Sequence, residues 1–173
     1  MIISIDPGLT NGAIALLKDV ETVLKVWDMP VMQAWSGKGN IVNPYLVSDI
    51  IKECIEKGAD NVIIEQQIAM PSQSSTSTGK TFTGFGILIG VVSSLDLKMK
   101  FVRSQNWKKY HGLTKLKANN FDRLEDETPA ENKNRSRLEA IKYYPEMADQ
   151  LKRKKDEGRA EAILIGRYAF SLI

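Results

Sequence analysis

Two acidic residues each close a short apolar run. Ile2-Ile3-Ser4-Ile5 ends at Asp6, which meets Pro7-Gly8 at once, and Val62-Ile63-Ile64 ends at Glu65. Runs of this length and composition followed by turn residues read as buried strands. A carboxylate at such a strand end is costly to desolvate unless something positive pairs with it. Two of them converging at one sheet edge can hold a divalent cation through oxygen ligands. A third acidic group, Asp156, Glu157 and Glu161, opens the last helical pattern, and Glu157 and Glu161, four apart, share a helical face. Each has a plainer reading: a turn aspartate for Asp6, a solvent-facing charge for Glu65, and acids favoured by the helix dipole for the trio. One cysteine, Cys54, and one histidine, His111, exclude any Cys/His zinc site, so a metal here falls to carboxylates.

The remaining charge has a pattern. From Leu97 to Phe121 there are seven Lys/Arg (Lys98, Lys100, Arg103, Lys108, Lys109, Lys115, Lys117) and no acid, in a chain of net charge +3, and Lys152-Arg153-Lys154-Lys155 is a second basic run. A basic block on a near-neutral protein points to a polyanion partner; the plainer reading is a solvated lysine-rich face. Thr78-Gly79-Lys80-Thr81 resembles the end of a phosphate-binding P-loop. However, Ser74 stands where that motif needs its first glycine, and no strand leads straight in. The Ser/Thr-rich stretch can still offer hydroxyls and a helix start to phosphates.

The elements that must position these groups follow from periodicity. Met1–Ile5, Gly12–Leu17 and Thr22–Met29 are close-spaced apolar runs, which predict an antiparallel meander. Residues 33–43 read as a polar loop. Asn43 and Pro44 then open a helix carrying Leu46, Ile50, Ile51, Cys54 and Ile55 and closed by Gly58. Asn61–Glu65 is a strand reached by a helical crossover, hence parallel. Thr81–Leu95 is a helix apolar nearly all round, which reads either as a core helix or as a helix with apolar surface left over for a partner; Lys98–Val102 is a fifth strand and Ser104–His111 a short helix. Thr114–Glu131 reads as loop, Asn132–Tyr144 and Gly158–Leu172 as helices. One mixed five-stranded sheet flanked by helices, an α/β fold, satisfies this order.

The chain has 173 residues, 43% hydrophobic and 26% charged, which suits a single globular domain spanning residues 1–173. The N-terminus has no basic stretch before Asp6 and the longest apolar run is too short for a bilayer, so a cytoplasmic protein is expected.

Ile3-Ser4-Ile5-Asp6-Pro7-Gly8-Leu9-Thr10-Asn11-Gly12 resembles the opening of the RuvC family of Holliday-junction resolvases. Ile64-Glu65-Gln66 resembles its second motif, and Asp156-Glu157-Gly158-Arg159-Ala160-Glu161-Ala162 its third, in the form of phage-like divergent members. Gln105-Asn106-Trp107-Lys108 and Tyr144-Pro145 also sit where such members place similar residues. There is one departure. Bacterial members carry two ligands three apart, and the position three before Glu161 is Gly158. Helical geometry favours Glu157 as the replacement. The divergent-member pattern favours Asp156, the preferred reading, because Gly158 lets the chain bend before the helix.

The resemblance implies an RNase H-like fold and hydrolysis of DNA phosphodiesters with two Mg²⁺ per active site, Mn²⁺ substituting. Asp6 would bridge the ions between Glu65 and Glu161, and products would carry 5′-phosphate and 3′-hydroxyl ends. Lys108 is a candidate for steadying the charge on phosphorus; its plainer role is a backbone-phosphate contact. The implied substrates are four-way junctions and forks, cut by paired nicking. The implied assembly is a homodimer through the Thr81–Leu95 helix, with Ile87, Leu88 and Val91 at the seam and Gly86 and Gly90 allowing close approach. Two rivals share the fold: a less selective debranching or flap nuclease, and a catalytically inactive nucleic-acid-binding module. An ATP-binding actin-like fold has no second matching half here.

Overall fold

The computed structural model describes residues 1–69, 73–114 and 129–173. The main sheet holds β1 (Ile2–Asp6), β2 (Ala13–Asp19), β3 (Thr22–Asp28), β6 (Asn61–Glu65) and β7 (Lys98–Val102), in the order β3-β2-β1-β6-β7. β1, β2 and β3 pair antiparallel, as short links between successive strands require. β6 pairs parallel to β1 and β7 parallel to β6, each reached through a helix: α1 (Pro44–Glu56) and α2 (Ser75–Ser94). After β7 come α3 (Ser104–Tyr110), α4 (Pro129–Tyr143), 3-10 turns at Pro145–Leu151 and Lys154–Asp156, and α5 (Glu157–Ala169).

Strand alternation divides the core in two. Ile3, Ile5, Ile14, Leu16, Val62 and Ile64 face α1 and α2. Ile2, Ala13, Ala15, Leu17 and Ile63 face the layer of α3, α4 and α5. Asp6 shares the parity of Ile2 and Ser4, so it turns toward α5. The helix can lie close to the sheet because its contact residues are small. A Cβ on Gly166 would stand 2.4 Å from Leu17 Cδ1 and 2.7 Å from Ser4 Oγ. Between Gly158 and Gly166, the Ala162 carbonyl accepts the buried Ser4 hydroxyl at 2.7 Å.

Two stretches differ from the expectation. Residues 33–43, read as loop, contribute to a two-stranded hairpin of β4 (Val31–Gln33) and β5 (Asn40–Val42). Its strands are too short for alternation to register in the sequence, and Gly37 and Gly39, at φ of 73° and 78°, close it. α2 begins at Ser75, six residues before the apolar pattern, because Ser74 Oγ caps it by accepting the Ser77 N–H at 3.2 Å. Its first turns carry exposed hydroxyl residues, so no apolar periodicity marks them.

The orientation of α2 corrects one expectation. Gly84, Leu88 and Val92 are its buried face, and Leu88 has no solvent exposure. Leu88 is a core residue, not a seam residue, and Ile87 and Val91 are partly buried against that same core. Gly86 and Gly90 point outward, with nothing within 4 Å of an added Cβ. A helix apolar on every side cannot be oriented by pattern alone. Lys115 and Lys117, and most of the expected loop from Thr114 to Glu131, lie outside the described residues.

Candidate active site

β1 and β6 pair in parallel with Ile5 opposite Ile64, so their next residues, Asp6 and Glu65, stand side by side on the α5 face. Neighbouring strands are about 4.8 Å apart. From α5, packed over β1 and β2, Glu161 reaches the same edge. From α3, which follows the C-terminal end of β7, come Trp107 and Lys108. The indole N–H of Trp107 donates to Glu65 Oε2 at 2.6 Å. Lys108 Nζ pairs with Glu161 Oε1 at 3.1 Å and sits 4.9 Å from the centre of the Trp107 ring. The buried Ser136 hydroxyl of α4 donates to the same Glu161 oxygen at 3.2 Å. His111, just past α3, bonds through Nε2 to the Leu164 carbonyl at 2.9 Å and ties α3 to α5.

The electrostatics follow from crowding like charges in a partly dry cleft. Burial, then the charges of Glu161 and Glu65, hold the Asp6 carboxyl well above its usual range, against a hydrogen bond from the Gly8 N–H and the Lys108 charge. Burial also raises Glu65, against the Trp107 hydrogen bond. Burial alone would lower Lys108, but Glu161, Glu65 and Asp6 outweigh it and raise it. Three carboxylates around one ammonium leave an excess of negative charge, which a cation would relieve.

The donors fit a hard divalent ion: all are carboxylate oxygens, with no sulfur or imidazole among them. As they stand, no three His, Cys, Asp or Glu side chains among the described residues are close enough together to hold one ion. Lys108 supplies the positive charge beside Glu161.

The acidic trio at the start of α5 is split. Glu161 joins Asp6, Glu65 and Lys108. Asp156 is engaged by Arg153, which gives its backbone N–H at 2.8 Å and its guanidinium at 2.8 Å, closing the 3-10 turn before α5. Burial would raise the Asp156 carboxyl, but these bonds hold it below the ordinary value. Glu157, the first residue of α5, is partly buried. Gly158 lies against Asp6 itself: a Cβ there would be 3.2 Å from Asp6 Oδ2 and 1.4 Å from the Asn11 carbonyl oxygen. At this position the Asn11 carbonyl fills the space a side chain would need. The bonds from Ser136 to Glu161 and from Trp107 to Glu65 join residues far apart in the chain, with no pattern in the sequence linking them. The only signal was the place of Trp107 beside Lys108 in one motif.

No family model matches this chain, and no curated protein matches it. Among solved structures it is similar to Thermus thermophilus RuvC. The likeness to RuvC in complex with Holliday junction substrate has a TM-score of 0.60 at 12% identity, covering 99% of this chain and 93% of that one. The likeness to a second Thermus thermophilus RuvC structure has a TM-score of 0.53 at 12% identity, covering 99% and 94%. The mixed sheet with helices on both faces is thus an RNase H-like α/β fold. No helix among the described residues is long and apolar enough to cross a membrane.

Proposed function

We propose that this chain is a Mg²⁺-dependent endodeoxyribonuclease that resolves four-way junctions and other branched DNA by paired nicking, as a phage-like divergent member of the RuvC group. The observation that carries the reading is the meeting of Asp6, Glu65, Glu161 and Lys108 at the carboxyl end of the sheet on a RuvC-like scaffold. Residues 1–173 act as one nuclease domain, in the cytoplasm of a bacterial or phage-infected cell.

In this reading Asp6, Glu65 and Glu161 would draw together to hold divalent ions, Mg²⁺ or Mn²⁺, two per site. Such ions would supply a lowered pKa for an attacking water and charge stabilisation for the leaving 3′ oxygen, giving 5′-phosphate ends. The chain's own residues do the positioning. Trp107 holds one oxygen of Glu65, which orients the other. Ser136 does the same for Glu161. Lys108 exchanges its bond to Glu161 for the non-bridging phosphate oxygens, where its charge favours the transition state. For the fourth ligand, expected from Asp156 or Glu157, the hold of Arg153 on Asp156 favours Glu157 in this reading, with Asp156 the alternative.

Paired cutting needs two sites related by two-fold symmetry. The outward face of α2, with Gly86 and Gly90 open, is the proposed dimer seam. The test is incubation with a synthetic four-way junction, a Y-fork and a plain duplex, each with Mg²⁺ or EDTA. Symmetric, ligatable nicks in the junction with Mg²⁺ alone are expected. Equal cutting of the fork would favour a flap nuclease, and binding without cutting an inactive module.

A further inference from the structure

We propose that the β4–β5 hairpin is a second nucleic-acid contact, in which Trp35 stacks on an unpaired base and Lys38 and Lys80 neutralise the phosphates beside it; this rests on the DNA reading above. Trp107 is fully buried and Trp27 partly so, whereas Trp35 is 72% exposed. One exposed aromatic carries little by itself. Three further observations give this one a role.

The tip is built rather than loose. Gly37 N–H donates to the Ala34 carbonyl at 2.7 Å, Ala34 N–H to the Gly39 carbonyl at 2.9 Å, and Gln33 Nε2 to the Gly37 carbonyl at 3.2 Å. Trp35 is therefore displayed on a closed turn, and little ordering is left for binding to supply.

The surroundings suit a polyanion. Residues 29–48 and 66–95 contain no Asp or Glu, and their charged residues are Lys38 and Lys80. Lys80 belongs to the tip: a Cβ on Gly39 would lie 3.4 Å from its Nζ.

The topology puts the tip at the catalytic end of the sheet. β1 and β3 both run antiparallel to β2, so β3 ends at the same edge as Asp6, and the hairpin leaves from there. The Met29 N–H bonds the Gly12 carbonyl at 2.8 Å, tying that exit to the loop after Asp6. α2 is entered from the end of β6, where Glu65 stands, so Lys80 in its second turn is at this edge too. An aromatic face flanked by cations binds unpaired bases of any sequence, since every base has a π face. Stacking is interrupted at a branch point, so bases unpair there at lower cost than inside a continuous duplex.

The test uses the full chain with EDTA, so that the DNA stays intact. The probes are a four-way junction with the fluorescent base 2-aminopurine at the branch point, and a plain duplex. Wild type should change the emission of that base. Trp35→Ala should abolish the change and weaken junction binding about tenfold or more, with duplex affinity unaltered, while Trp35→Phe keeps most of both. Lys38→Ala with Lys80→Ala should reduce the slope of log K against log salt by about one to two. A Trp35→Ala protein that matches wild type, that loses junction and duplex equally, or that changes only its sedimentation overturns the proposal. A wild type that binds none of the DNAs overturns the nuclease reading and this one with it. A junction-binding wild type indifferent to Trp35 overturns this one alone.

Discussion

The indole N–H of Trp107 meets Glu65 Oε2 at 2.6 Å, from a side chain with no solvent exposure. A core tryptophan thus ends on a carboxylate that lies at the candidate active site. Trp107→Phe keeps most of the packing and deletes the donor. It should cost about 1.5–3 kcal/mol of stability, the worth of a hydrogen bond to a charged group, measured by urea unfolding. Mn²⁺ affinity, read by calorimetry without DNA, should fall about 10–100-fold, as it does when a ligand loses its supporting partner.

Asp6 fixes the sign of a pH dependence. Burial and the charges of Glu161 and Glu65 raise its folded-state pKa, and burial does the same to Glu65. Between the unfolded and folded values the native state binds more protons than the unfolded chain. Stability is therefore unpenalised below the ordinary carboxylate range and falls as pH rises through the folded values. Asp6→Asn should melt above metal-free wild type at about pH 7 and level with it near pH 3, with each kcal/mol relieved worth about 2–4 °C. The same variant should bind junctions and not cut them. Mg²⁺-dependent nicking by a clean preparation would remove the metal reading.

Gly158 admits no side chain while Asn11 keeps its place. Gly158→Ala should cost about 3 kcal/mol, the upper end of the usual overpacking range, because the contact is to backbone and not to a side chain that can swing away. Gly158→Asp, which places an acid three residues before Glu161, should be destabilised at least as much and gain no metal affinity. A well-folded Gly158→Asp protein would show that the Asn11 loop yields easily.

Dimerisation is tested on the outward face of α2. If the proposed seam is right, Gly90→Glu should turn a sedimenting dimer into monomer, leave the fold intact and abolish paired cutting. Leu88→Glu buries a charge in the core and should unfold the chain instead, costing about 3–5 kcal/mol or more. A wild type that is monomeric at high concentration and still makes paired cuts would remove the seam.

The salt dependence of junction binding reports phosphate contacts. Replacing Lys108, Lys109, Lys115 and Lys117 by alanine should flatten the slope of log K against log salt by up to about four. An unchanged slope would return the basic block to a solvated face.

Much of this protein is legible in its residues because the signals are local. Apolar runs ending in Asp6 and Glu65 mark two buried strands, and a helical crossover between them makes the pair parallel, which sets the carboxylates side by side. Asn43-Pro44 marks the start of α1 by its own capping chemistry. Other features are decided only when distant segments meet. Asp156 and Glu161 look alike along the chain, yet one closes a turn with Arg153 and the other joins Asp6 and Lys108, because helix phase and the close seat of Gly158 set their directions. Leu88 and Gly90 share an unbroken apolar helix, and only packing against the sheet decides which faces inward. Along the chain Trp107 is marked only by its place in Gln105-Asn106-Trp107-Lys108, and packing makes it core. Its single polar atom finds Glu65, 42 positions away, because α3 follows β7 and lands at the carboxyl end of β6.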